Sequence, residues 1–179
     1  LPALLAFLAG QGSGLASLQV SLDSSGWVAY SGPLTFSDGE HTVDLRAADA
    51  AGNTAGEAQS IRIDTLPPDI DLSSGANFCP GCGETLDIGV EVQDAGSGIV
   101  DWTLSVDGSP IASGSSSVSQ TLSWDGAGFG GGWHTLGLQA RDAAGNTDEA
   151  TLAMTVIVPT PAPEPPPGDS SSASTSVTS

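Results

Sequence analysis

Along most of this 179-residue chain, apolar residues recur at every second position. Leu18, Val20 and Leu22 form one such run; Val43, Leu45 and Ala47 form another; Ile61 and Ile63 a third. Further on come Leu86, Ile88, Val90 and Val92, then Trp102, Leu104 and Val106. Leu136, Leu138 and Ala140 come next, and Leu152, Met154 and Val156 close the series. Side chains leave a strand on alternate faces, so period two predicts strands with one face buried. The runs are short, and Gly, Asp, Ser and Asn separate them. No apolar pattern of period 3.6 competes. Several such strands within about 90 residues predict an all-β fold, a sandwich of two sheets over one thin core.

The pattern occurs twice. Residues 41–54 (HTVDLRAADAAGNT) recur at 134–147 (HTLGLQARDAAGNT), an offset of 93 without a gap. Residues 13–23 (SGLASLQVSLD) align with 97–107 (SGIVDWTLSVD) at an offset of 84. The difference of nine residues falls in the loops between the two matches. Extending the second match backwards sets Leu4, Ala6 and Leu8 against Ile88, Val90 and Val92, while 68–85 find no partner in the first copy. The first copy is therefore expected to lack its opening strand. An unpaired edge beside an apolar strand is an aggregation liability, so a fragment or processing boundary is the expectation there. The expected domains are 1–65, a partial sandwich; 66–158, a complete one; and 159–179, a linker or stalk.

The motif G-x-H-T-x-x-x-x-A-x-D-A-A-G-N, followed by a strand and then Asp64-Thr-Leu-Pro-Pro68, resembles the bacterial immunoglobulin-like repeats of large surface and secreted proteins. Asp94-Ala-Gly-Ser-Gly98 and Trp124-Asp-Gly126 also resemble turns of that group. The likeness covers residues 1 to about 158. It implies tandem immunoglobulin-like β-sandwiches. It fixes no function, because a fold of this kind serves many.

The tail changes the picture little. Pro159-Thr-Pro-Ala-Pro-Glu-Pro-Pro-Pro167 reads as extended polyproline, and 168–179 are almost all Ser, Thr and small residues, expected to be disordered. The segment Ala3–Ala9 is far shorter than the roughly 20 residues that cross a bilayer, and no basic residue precedes it as in a signal peptide.

Charge excludes more. Twenty-one acidic residues face three arginines, a net charge of −18. Nucleic acid, which demands clustered cations, is not an expected partner, and neither is an anionic membrane. The expected partners are neighbouring domains of the same chain and a cell-surface glycan or protein. The expected location is extracellular or at the cell surface.

Candidate chemistry is sparse. The Asp-Ala-Ala-Gly-Asn motif, with Asp49 and Asn53 in one copy and Asp142 and Asn146 in the other, reads first as a hairpin turn. Its second reading is a calcium site, for which Asp64, Asp69 or Asp94 would have to add oxygens. Cys79 and Cys82 read as a small-loop disulfide, which suits an exported protein. Half of a zinc knuckle and a redox C-x-x-C are the alternatives; the second lacks the helix that would lower a thiol pKa. His41 and His134 read as partly exposed turn residues. Among Trp27, Tyr30, Trp124, Phe129 and Trp133 the first expectation is core. Trp102 is core because it replaces Leu18. Trp133 replaces Glu40 and is the candidate contact residue. No nucleophile motif is present. The expected role is a non-catalytic spacer, against an adhesin or carbohydrate-binding module and an accessory domain of a secreted hydrolase.

Overall fold

The computed structural model describes residues 12–160. The expectations for Leu4, Ala6, Leu8 and most of the Pro/Ser/Thr-rich tail lie outside them. Twelve strands and one 3-10 turn, Pro80–Cys82, make up the regular structure of the described residues. The all-β expectation is met.

Among the described residues the first unit is a single sheet. Strands β1 (Leu15–Leu22), β2 (Val28–Ala29), β3 (Gly39–Asp49) and β4 (Thr54–Ile63) lie in the order β2-β1-β3-β4, all neighbours antiparallel. The register sets Leu18 beside Ala47, Val20 beside Leu45 and Leu22 beside Val43, so one face is continuously apolar. Only Val20 and Ala47 on that face are buried. No second sheet covers it among the described residues.

The second unit has both sheets. Strands β5 (Asp69–Ser74), β7 (Leu86–Gln93) and β10 (Val118–Trp124) pair in the order β10-β7-β5. Strands β6 (Asn77–Phe78), β8 (Ile99–Val106), β9 (Ser109–Gly114), β11 (Gly132–Asp142) and β12 (Thr147–Val156) form the other, in the order β6-β12-β11-β8-β9. The inward rows of the two sheets close on each other. Ile88, Val92, Leu104, Val106, Leu136, Leu138 and Met154 are fully buried between them. Trp102 is buried as expected, and its indole N–H donates to the Ser116 carbonyl at 3.1 Å, which satisfies the one polar atom it takes into the core.

One irregularity repeats. The β8–β11 register shifts between Arg141 and Asp142, leaving Val100 as the extra residue of a β-bulge. The β1–β3 register shifts at the matching place, at Ala16. A bulge sharpens local twist and redirects the next residues. Here it precedes the turn that carries Asp49 or Asp142.

Candidate functional site

The Asp-Ala-Ala-Gly-Asn segments form four-residue hairpin turns, and the first reading of them holds. In the second unit, Asp142 Oδ1 accepts the backbone N–H of Gly145 (2.7 Å) and of Asn146 (2.8 Å). Gly145 has φ of 97°, a conformation that favours glycine. The first unit repeats this: Asp49 Oδ1 accepts the Asn53 N–H at 2.8 Å, and Gly52 has φ of 89°. Hydrogen bonds from the Asn53 side chain hold the Asp49 carboxyl below its ordinary range, against the opposing effect of burial.

Asn146 does more than close its turn. Its side-chain NH2 lies 2.8 Å from Asp142 Oδ2, 3.0 Å from the Leu66 carbonyl and 3.2 Å from the Asp64 carbonyl. The chain joining the two units is therefore gripped by the far turn of the second. Asp64 adds a bond in the same direction, its Oδ2 accepting the Ser97 N–H at 2.6 Å. The Ser97 side chain and then its backbone N–H lower the Asp64 pKa. From the other side, Thr65 donates through its N–H and hydroxyl to Asp38. Pro68 is fully buried.

These contacts bring Asp64, Asp94 and Asp142 together, one carboxylate oxygen from each lying within 4.8 Å of the others. Calcium takes roughly six to eight oxygens. As arranged, the side chains offer three carboxylates and no amide oxygen, because acceptors surround Asn146 and fix its NH2 inward. Asn53 is turned the same way, toward Asp49 Oδ2 at 2.7 Å. The carboxylates meanwhile accept N–H donors, Asp94 from Gly98 at 2.5 Å. No buried side-chain polar atom among the described residues lacks a partner. The first unit has Gly10 where the second has Asp94, so the cluster is not a property of the repeat.

The histidines are partly exposed, as expected, with side chains 14% and 13% accessible, and each is held by specific bonds. His41 Nδ1 lies 2.8 Å from Asp23 Oδ2, and Nε2 lies 2.9 Å from the Ser37 carbonyl. His134 repeats this with Asp107 (2.6 Å) and the Gly130 carbonyl (2.8 Å). The second oxygen of each Asp accepts the N–H of the residue after the histidine, Thr42 or Thr135. Both ring nitrogens thus face acceptors, an arrangement only the imidazolium satisfies fully. The bonds to Asp23 and Asp107 push both histidine pKa values up, and the histidines hold those two carboxyls down. The sequence signal was there, since Asp23 and His41 align with Asp107 and His134. Nothing in one dimension showed that they meet.

The cysteines are joined, Cys79 to Cys82, around the 3-10 turn. Glu84 accepts the Cys79 N–H at 2.8 Å, tying the loop down a second time. Aromatic expectations divide. Trp124 and Phe129 pack partly buried against the core, in a chain of rings from Phe78 through Trp124 and Phe129 to His134. Trp27 and Tyr30 are exposed instead, a correction to the core reading. They flank the short β2, and Trp27 packs under the Arg46 guanidinium at 4.3 Å. Trp133 is 80% exposed, on the surface as its alignment with Glu40 predicted.

No protein-family model and no curated protein sequence matches the chain. Among solved structures it is similar to the fibronectin(III)-like modules of Clostridium thermocellum CbhA, at 14% identity and a TM-score of 0.41, over 83% of this chain and 80% of that one. It is also similar to dimeric latent PorU from Porphyromonas gingivalis, at 15% identity and a TM-score of 0.40, over 85% of this chain but only 17% of that one. Both likenesses concern the β-sandwich fold alone.

Proposed function

We propose that the chain is a non-catalytic spacer segment of a secreted or cell-surface multidomain protein. The observation that carries this is the gripped junction. Residues 64–66 are bonded to Asp38 on one side and to Ser97 and Asn146 on the other, and the rings of Pro67 and Pro68 fix φ at the next two residues. A spacer transmits position only if its joint resists bending, and a short linker with its polar groups engaged is such a joint. The Cys79–Cys82 disulfide supports an oxidising compartment. Both histidines are committed to turn contacts on each ring nitrogen, which argues against their serving as general bases.

Small-angle scattering of the whole chain tests the reading, comparing wild type with Asn146→Ala and with Pro67 and Pro68 both changed to Gly. The expected result is one narrow distribution of maximum dimension for wild type, broadened in both variants. A wild-type distribution as broad as that of the diglycine variant would sink the spacer reading. A second reading, a binding module, is favoured by the exposure of Trp133.

A further inference from the structure

We propose that Trp133, Thr155 and Asn77 form a stacking platform for a neutral glycan. The three residues lie in one row across β11, β12 and β6. Trp133 pairs with Thr155, and Thr155 pairs with Asn77. Their neighbours on those strands point the other way, Phe78 and Val156 into the core and His134 into its bonded turn. The row therefore faces solvent, with an indole at one end and a hydroxyl and an amide beside it.

The repeat supplies an internal control. On the matching strands of the first unit the pair is Glu40 and Arg62, whose charged ends approach to 3.9 Å. That pair completes itself. In the second unit the same two positions hold Trp133 and Thr155, and the indole is left 80% exposed. The approach to it is also cleared. Residues 35, 37 and 38 of the first unit are Thr, Ser and Asp; their counterparts are Gly128, Gly130 and Gly131. At Gly131 a Cβ would stand 2.7 Å from Val158 Cγ2, so the loop lies close against the segment that follows β12.

The chemistry of the row selects the ligand class. It contains no ionised group, on a chain of net charge −18. The acid that bonds nearest on β11, Asp107, is paired with His134 and the Thr135 N–H. An anionic ligand would meet the repulsion of the whole chain. A neutral sugar would lay a C–H face on the electron-rich indole while its hydroxyls exchange hydrogen bonds with Thr155 and Asn77. One row of three side chains is also small beside the roughly 800 Å² per partner of a stable protein interface.

The test is native electrophoresis of the full chain in gels containing hydroxyethylcellulose, xyloglucan or galactomannan, with alginate as the anionic comparison. The expected result is retardation by at least one neutral polymer, unchanged by high salt. Trp133→Ala should weaken it by about ten-fold or more, the scale of a central aromatic contact, while Trp27→Ala leaves it intact. Trp133 is exposed, so an unchanged urea midpoint for Trp133→Ala keeps a loss of retardation from being a loss of fold. No retardation by any of the three neutral polymers overturns the proposal. So does retardation that Trp133→Ala retains or Trp27→Ala equally removes, retardation by alginate alone, and a Trp133-dependent protein partner without glycan retardation.

Discussion

The two units carry one strand pattern and bury it to different depths. Leu138 and Leu136 are fully buried, while Leu45 and Val43, 93 residues earlier on the matching strand β3, are only half-buried. Met154 and Val156 are buried where Ile61 and Ile63 are partly open. The reason is the facing sheet. The second unit sets β5, β7 and β10 over its apolar face, and the described residues of the first set nothing equivalent there. The nine residues by which the second copy is longer fall between β9 and Phe129, the stretch that supplies β10 and Trp124, the ring that links Phe78 to Phe129.

The largest test of that difference is a pair of matched truncations. Leu138→Ala empties a site packed on all sides and should cost about 3 kcal/mol, whereas Leu45→Ala should cost about 1, because water already reaches it. Urea unfolding followed at backbone amides of each unit separates the two; equal losses would mean that Leu45 is packed as tightly as Leu138. Next comes the disulfide, which only the second unit possesses. It closes a loop of few residues, so reduction should lower the second unit's stability by about 2 kcal/mol or less and leave the first unit unmoved. A shift in the first unit's midpoint would break the separation.

The smallest effect is one the units share. The folded histidines have pKa values raised above 6.5, so their contribution is complete below that value and is lost as pH rises through the folded pKa. Asp23 and Asp107 are lowered from 3.8, so theirs is present above that value and lost as pH falls through the folded pKa. Both latches are therefore complete between about 4 and 6.5 and loosen as pH leaves that window on either side. Urea midpoints measured upward from pH 6 should fall in wild type and flatten in the variant with His41 and His134 both changed to Asn. Nuclear magnetic resonance titration of the two imidazoles should show them moving together; an ordinary value for either would mean that its latch is open in solution.

Much of the molecule was legible along the chain. Period two predicted strands, and substitution between copies separated Trp102 from Trp133. The spacing of Cys79 and Cys82 gave a local link. The partners of single polar groups were not legible. His41 bonds a residue 18 positions away, and Asn146 reaches Leu66 across 80. Trp27 was misplaced for a related reason, since the Arg46 on which it stacks lies elsewhere in the chain.

By itself, then, the sequence determined which residues lie on which face of each strand, because side-chain direction follows from backbone geometry one residue at a time. Tertiary structure decided which of those faces is dry, which carboxylate meets which N–H, and that the linker is held by the turn of the second unit. Those outcomes depend on segments far apart in the chain arriving at the same place, and no local pattern encodes that arrival.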